Sequence, residues 1–360
     1  MLFYFSNFIV CLLYTFLLYL IRIVNREKII YIIYSVHFAL IAGLRTLNVG
    51  TDTLAYNNIF LGTMNKSFGQ IISNSRFVGY ELLMKIFASF FNGKYSPFLF
   101  FIALVTNCIF FYCAYKFKVS KPFCVAFFYV TFYYFFQSMN MTRQTFAMAL
   151  CVLGFYLYTQ KKFFSSIMIF VCSVLIHSTS IIVLIFPILY KISWTKKKYF
   201  ALALSTFIIS LSYSSFIGLF SRFFESYNIY INSSVDYSSR GGRVLLVLFY
   251  SLILVLGIFY STRTRKYNQI FMTIQGILVI SCLLGFLFSS DQLMIRIQMY
   301  FEIFIIYYLP MLFFRDDKEY KEVFPKISYM IIPIMVVSIV PLIFQLLNNY
   351  GQVIPYKSIF

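Results

Sequence analysis

Polar side chains suited to acid–base and anion chemistry occur at a few places in a strongly apolar chain. The first is Ala42–Phe60, where an apolar run gives way to Arg45, Asn48, Gly50, Thr51, Asp52 and Thr53. Glycine permits a tight turn, and Thr51 or Asp52 is a suitable N-cap for a short helix that runs to Phe60. This pattern places an arginine and a carboxylate on either side of one turn. A polar loop that serves only to cap a helix accounts for the same residues.

Two further stretches place an arginine at the start of a predicted helix. Asn140-Met-Thr-Arg143-Gln144 opens one helix, where Asn140 or Thr142 can cap, and Arg296 opens another. A helix N-terminus beside an arginine favours anions, and a planar guanidinium matches two oxygens of a phosphate. For any one of these arginines, snorkelling to the membrane surface is the simpler explanation. The argument for a site therefore rests on the set.

Candidate bases accompany the arginines. His177 supplies an imidazole, a group that can titrate near neutrality, and Asp52 and Glu81 supply carboxylates. Together these groups suit the departure of an anionic, pyrophosphate-like leaving group and the deprotonation of a hydroxyl. The sequence has no Walker loop, no Gly-x-Ser-x-Gly elbow and no spacing of histidines and cysteines typical of a metal site. These absences disfavour ATP hydrolysis, serine-esterase chemistry and a bound metal.

The composition identifies the elements that must position these groups. The chain is 61% hydrophobic and 11% charged, whereas a soluble domain carries about a quarter charged residues. Apolar runs of about 20 residues, which match the thickness of a bilayer, recur from end to end. The net charge of +19 sits in short clusters between these runs, which indicates the positive-inside rule rather than nucleic-acid binding. We therefore predict an all-α, polytopic integral membrane protein with a single membrane domain over residues 1–360.

About 11–12 transmembrane helices are expected, some of them broken or re-entrant. The predicted spans are Leu2–Ile21, Ile29–Leu44, Tyr95–Tyr115, Pro122–Gln137, Thr142–Thr159, Phe163–Ile176, Ser178–Tyr190, Tyr199–Leu219, Val244–Tyr260, Ile270–Phe288, Ile297–Phe314 and Ile327–Leu347. Gly79–Phe91 is apolar but short and contains Glu81, so we predict a re-entrant or interfacial helix there. Residues 45–78 and 221–243 form the two polar outer loops.

The distribution of charge supports these boundaries. The basic clusters fall on one side only if Gly79–Phe91 does not span and if the apolar run Phe163–Tyr190 divides near His177. The positive-inside rule assigns that side to the cytoplasm. Arg45, Arg143 and His177 then share the outer face of the membrane.

At these residues the sequence resembles the EpsG family, polysaccharide polymerases of the Wzy type. The matching pieces are Leu44-Arg45 leading to Val49-Gly50-Thr51-Asp52 and Tyr56, then Gly79-Tyr80-Glu81, Asn140-Met-Thr-Arg143-Gln144, Ile176-His177-Ser178-Thr179, and Arg296 with Tyr300. They follow one another in order and spacing over nearly the whole chain. The resemblance implies an enzyme that links oligosaccharide repeat units carried on undecaprenyl pyrophosphate into exopolysaccharide, capsule or O-antigen. It implies that this chemistry takes place at the outer face of the cytoplasmic (inner) membrane. The expected partners are membrane lipids, a flippase and a chain-length regulator. We expect no metal or cofactor, because the arginines can stabilise the charge, and no nucleic acid, because the basic residues follow the positive-inside pattern.

The resemblance also suggests roles for individual residues. The expected pyrophosphate ligands are Arg45, Arg143, Arg296, Gln144, Arg240 and Arg243. His177 is the first choice for general base, with Asp52 or Glu81 as the second, and the expected glycan contacts are Tyr56, Asn140 and Tyr300. Three alternatives stay open: an O-antigen-ligase-like glycan transferase, a membrane O-acyltransferase, and a flippase for lipid-linked glycans.

Overall fold

The structure is a computed structural model that describes residues 1–21, 24–75, 77–212, 240–264, 267–289, 291–314 and 331–360. Within these ranges the chain folds into helices without a β-strand, and one isolated bridge joins Arg45 to Ser358. Five helices are long and apolar enough to cross a membrane: Leu2–Leu20, Tyr95–Lys116, Leu246–Arg263, Gln269–Leu287 and Gln292–Phe313. Shorter apolar helices accompany them. The prediction of an all-α polytopic membrane protein is confirmed.

The described residues form two compact units, Met1–Ile181 with Leu309–Phe360, and Ile182–Tyr308. The helices up to the end of the first segment are α1 Leu2–Leu20, α2 Arg26–Gly43, α3 Thr53–Met64, α4 Phe68–Asn74, α5 Val78–Phe90, α6 Tyr95–Lys116, α7 Pro122–Thr131, α8 Tyr134–Asn140, α9 Thr142–Thr159 and α10 Phe163–Ile176. The helices that follow are α11 Ile185–Tyr190, α12 Lys196–Leu211, α13 Arg240–Thr264, α14 Gln269–Leu287, α15 Gln292–Glu302, α16 Ile305–Phe313 and α17 Ile331–Leu347.

In the first unit, α2 and α6 run antiparallel. A Cβ on Gly43, at the end of α2, would meet Phe100 near the start of α6 at 2.6 Å, so the two backbones are in close contact there. At the other end of the pair, the Tyr31 hydroxyl donates to the Val119 carbonyl over 3.0 Å. Arg45 therefore lies at the end of the unit where α6 begins, which we call the arginine end.

Helices α9 and α10 form an antiparallel hairpin beside α6. The Ser166 hydroxyl donates to the Gly154 carbonyl over 2.8 Å near the closed end of the hairpin. At the open end, Tyr80 contacts the ring of Phe98 in α6 and the hydroxyl of Thr142 in α9. The starts of α5, α6 and α9 and the end of α10 thus share the arginine end. The basic clusters of this unit lie at the opposite end: Arg26, Lys28, Lys116, Lys118, Lys121, Lys161 and Lys162.

The predicted span Pro122–Gln137 is interrupted, whereas the break predicted near His177 and the short helix predicted over Gly79–Phe91 are present. Pro122–Gln137 divides into α7 and α8 at Tyr133, whose φ of +68° is left-handed. The run Phe163–Tyr190 breaks at His177, which has extended backbone, and continues as a 3-10 helix over Ser178–Leu184. Helix α5 has 13 residues, too few to cross a bilayer of ordinary thickness.

Other predicted boundaries shift or lie outside the described residues. The span predicted from Ile297 begins earlier, at Gln292, and consists of α15 and α16. Within the predicted outer loop 221–243, residues 221–239 lie outside the described residues, and α13 already begins at Arg240. Residues 213–219 and 327–330, at the edges of two predicted spans, also lie outside the described residues.

Candidate functional site

The loop that joins α2 to α3, Leu44–Asp52, is the centre of the arginine end, and we call it the arginine loop. Gly50 has a φ of +93°, and a Cβ at this position would lie 2.6 Å from the Met139 carbonyl oxygen. Side chains other than glycine are strained in this conformation. Glycine at position 50 therefore permits the loop to pack closely against the end of α8.

Arg45 is buried beneath the arginine loop, with 1% of its surface exposed. Its guanidinium donates to three backbone carbonyls and one hydroxyl, which belong to Val49 (3.1 Å), Ala42, Met139 and Thr53 (3.4 Å). Burial lowers the pKa of this guanidinium to about 10, so it stays charged at neutral pH. Because its donors face protein acceptors, Arg45 ties the loop to the ends of α2 and α8.

Asn140 holds the arginine loop from the side of α8. Its Oδ1 accepts a hydrogen bond from the Thr51 hydroxyl and another, of 3.0 Å, from the Asp52 N–H. Asp52 occupies the N-cap position of α3, as predicted, but its side chain makes no capping hydrogen bond. The carboxylate is half-exposed and accepts from the Thr51 hydroxyl at 3.4 Å. The loop therefore presents Asp52 on a backbone fixed by Asn140.

The expected cap of α9 is wrong. Met141, rather than Asn140 or Thr142, is the N-cap residue, and it makes no side-chain cap bond. The two polar side chains are engaged elsewhere: Asn140 bonds the arginine loop, and the Thr142 hydroxyl lies 3.3 Å from that of Tyr80.

Arg143, in the first turn of α9, has surroundings opposite to those of Arg45. Its guanidinium carbon lies 3.3 Å from the centre of the Phe77 ring and 5.8 Å from that of Tyr56. The buried Nε has no hydrogen-bond partner, and no described residue pairs with the half-exposed guanidinium by hydrogen bond or ion pair. A cation held on aromatic faces keeps its N–H groups available for a ligand.

His177 neighbours the same phenylalanine. Its imidazole lies 6.3 Å from the Phe77 ring, centre to centre, with 25° between the planes. The side chain is 1% exposed, and Nδ1 is 2.8 Å from the Thr179 hydroxyl. The backbone positions it as the residue that ends α10. Phe77 is therefore a neighbour of both the candidate base, His177, and the candidate anion ligand, Arg143.

The sequence did not indicate Phe77 as a residue of the site. It is one of 47 phenylalanines, and no motif marks it. A large aromatic directly before a short helix that carries Glu81 was its only signal.

Other predicted residues complete the arginine end. Tyr56 packs edge-on against Tyr80, with 5.9 Å between ring centres, and lies one helical turn after Asp52, so the two share a face of α3. Gln144 is 2% exposed in α9. Glu81 is 9% exposed, and its Oε2 lies 3.0 Å from the Lys66 Nζ, an ion pair that holds α5 to the segment after α3.

The remaining predicted ligands belong to the second unit. Arg296 is half-exposed on α15, and Tyr300 is buried on the same helix. Arg240 and Arg243 lie in the first turn of α13, and their side chains are outside the described residues. The structure thus brings together Asp52, Tyr56, Asn140, Arg143 and His177 in the first unit. The second unit contains Arg240, Arg243, Arg296 and Tyr300.

Metal-binding groups are a separate question. In the ranges that the structure describes, no three histidine, cysteine, aspartate or glutamate side chains are grouped so that they could hold a metal ion.

Comparison of the chain with known proteins tests the family resemblance. No curated protein and no solved structure matches the chain. The sequence model of the EpsG family matches residues 28–358, a range that contains every predicted site residue of both units. The match confirms the resemblance carried by the polar motifs. The chain therefore belongs to the EpsG family, membrane proteins of the polysaccharide-polymerase type.

Proposed function

We propose that the protein polymerises lipid-linked oligosaccharide repeat units by glycosyl transfer at the outer face of the cytoplasmic membrane. The donor is a growing glycan on a lipid pyrophosphate, undecaprenyl pyrophosphate by the family resemblance, and the acceptor is a hydroxyl of a new unit. The observation that carries this proposal is Arg143, a half-buried guanidinium held by aromatic rings without a protein acceptor among the described residues.

In the proposed reaction, the bond between the anomeric carbon and the pyrophosphate oxygen breaks. The lipid pyrophosphate leaves with the electron pair, while the acceptor oxygen bonds the anomeric carbon and loses its proton to a base. Arg143 stabilises the negative charge that develops on the leaving group, because it is a donor already fixed in place where that charge develops. No other reactant is needed for this balance.

His177 is our first choice for the base. As a base it would accept the proton at Nε2, with Nδ1–H donating to the Thr179 hydroxyl 2.8 Å away. Asp52 is the alternative, because its carboxylate is half-exposed and lies on the arginine loop. Glu81 ranks after both, since it is ion-paired with Lys66.

The burial of Arg45 supports a positioning role for this residue. A guanidinium that is 1% exposed and bonded to four protein acceptors holds the loop that presents Asp52. This assignment replaces our expectation of a pyrophosphate ligand. Gln144, Arg240, Arg243 and Arg296 stay predictions for the pyrophosphate, as do Tyr56, Asn140 and Tyr300 for the glycan.

The test is extension of lipid-linked oligosaccharide by purified protein in lipid nanodiscs. Arg143→Lys keeps the charge but loses the planar fork, so one of two charge-assisted bonds to the phosphate is lost. At about 1.5–3 kcal/mol for such a bond, the rate should fall roughly 10- to 150-fold. Single repeat units should accumulate.

Arg26→Lys is the matched control. Arg26 also stacks on an aromatic ring, 4.0 Å from the centre of Tyr19, but at the opposite end of the same unit. It should extend the substrate at the wild-type rate. Equal rates in wild type and Arg143→Lys would remove Arg143 from the reaction. Transfer to a different acceptor without chain growth would identify a ligase, and transbilayer movement without a new bond a flippase.

A further inference from the structure

The segment after α17 returns to the arginine loop. We call Asn349–Phe360 the clasp. Four backbone hydrogen bonds join it to the loop: Thr51 N–H to the Gly351 carbonyl (3.0 Å), Gly50 N–H to Gln352 (3.0 Å), Thr46 N–H to Lys357 (2.9 Å) and Ile359 N–H to Leu44 (2.9 Å). Between the last two, Arg45 and Ser358 form an antiparallel bridge. The clasp therefore bonds the backbone of the arginine loop at both of its ends.

The clasp is itself anchored to helices of the first unit. The Tyr4 hydroxyl donates to the Val353 carbonyl over 2.7 Å, and the Tyr356 hydroxyl donates to the Ile41 carbonyl over 3.0 Å. Tyr356 also stacks on Phe3, with 4.0 Å between ring centres. Val353 is fully buried. These contacts distinguish the clasp from a peptide that only rests on the surface.

Asn140 connects the clasp to the candidate site. Gly351 has a φ of +71°, and a Cβ there would lie 3.3 Å from the Asn140 Nδ2. The Oδ1 of the same side chain accepts from the Asp52 N–H. The end of α8, the clasp and the arginine loop thus meet at the residue that carries the half-exposed carboxylate.

We propose that the clasp is a positioning element of the reaction: by holding the arginine loop, it sets where Asp52 and the adjoining face of α3 meet the acceptor glycan. This inference rests on the proposed function. Arg143 and Phe77 receive no hydrogen bond from the clasp among the described residues, so the donor site should be independent of it.

Two proline substitutions distinguish the loss of one hydrogen bond between the clasp and the arginine loop from the effect of placing a proline in the clasp. Ile359→Pro removes the N–H that donates to Leu44, whereas the N–H of Ser358 donates to no described residue, so Ser358→Pro changes the neighbouring position without that loss. Both side chains are exposed. Proline lacks the N–H and fixes φ at either position, so the two variants share that constraint and differ in the hydrogen bond to Leu44. Ser358→Pro also removes the Ser358 hydroxyl, which donates to the Phe360 carbonyl within the clasp and not to the arginine loop.

The readouts are amide hydrogen exchange of residues 44–53 and the KM values of donor and acceptor. Ile359→Pro should speed exchange in the loop and raise the acceptor KM roughly 5- to 10-fold, the effect expected for one lost hydrogen bond, with the donor KM unchanged. Ser358→Pro should behave as wild type in both assays. A partly unfolded sample would instead lower the rate with both KM values unchanged.

Each outcome decides the inference. Unchanged exchange in Ile359→Pro would show that the clasp does not hold the loop. Faster exchange with a wild-type acceptor KM would overturn positioning and leave a structural contact. If wild type extends no glycan at all, the proposed function fails and the positioning role with it, while the exchange measurement still reports on the contact.

Discussion

Arg45→Lys should destabilise the arginine end rather than weaken substrate binding. The guanidinium bonds four acceptors through three nitrogens, and those acceptors lie in different directions around the side chain. An ammonium donates from a single point and cannot replace the Nε bond to Val49 together with both bonds of Nη2. At least two charge-assisted bonds are lost, each worth about 1.5–3 kcal/mol. The expected loss of stability is therefore about 3–6 kcal/mol.

A loss of this size is a large fraction of the stability of a typical protein, about 5–15 kcal/mol. At about 2–4 °C per kcal/mol, the unfolding temperature should fall by on the order of 10 °C. The assay is thermal unfolding in nanodiscs, followed by size-exclusion chromatography of the surviving protein. Because the bond to Met139 joins the loop to α8, exchange of the loop amides should also rise well below the unfolding temperature.

Arg143→Lys is the matched comparison, since the same chemical change is made at a guanidinium with no protein acceptor among the described residues. It should keep the wild-type unfolding temperature while activity falls. The reasoning is refuted if Arg45→Lys unfolds at the wild-type temperature and loses activity as Arg143→Lys does. Arg45 would then contact substrate.

Two further predictions concern the base and the orientation. His177→Ala should lower turnover by about 10²–10⁴-fold, the usual contribution of a general base, while His37→Ala, within α2, should have little effect; a wild-type rate in His177→Ala would move the base to Asp52 or Glu81. In a cysteine-free background, the exposed Asn74→Cys should react with an impermeant maleimide in intact cells and the exposed Gln160→Cys, at the opposite end of the first unit, should not; the reverse pattern would invert the membrane orientation.

Sharp local signals made parts of the fold predictable. Helices α9 and α10 have the predicted bounds, because Lys161 and Lys162 separate them and His177 ends the second. The break at Tyr133 gave no such signal, since the sequence stays apolar through it and tyrosine is not a residue that favours a left-handed φ. The 3-10 segment after His177 is equally apolar. Periodicity and composition do not distinguish these conformations from a continuous helix.

The site was predictable in its residue types and less so in their roles. The motifs drew attention to Arg45 and Arg143, but the difference between them depends on acceptors distant in sequence. Met139, which accepts from Arg45, lies 94 positions away. The partners of the loop in the clasp are more distant still. A single sequence cannot indicate such pairings, so both arginines were expected to bind the same anion.

The position of the clasp along the chain fixes the order in which the site is completed during synthesis. Roughly 300 residues separate the arginine loop from the clasp, which at about 5–20 residues per second is a delay of about 15–60 s. During that interval α3 to α17 are made, and Gly50, Thr51 and Thr46 have no clasp carbonyl to bond. A chain released before residue 349 would carry the helices and Arg143, but its arginine loop would lack the hydrogen bonds to the clasp. Translation of the clasp is thus the step at which a nascent chain of this protein acquires a fixed acceptor side.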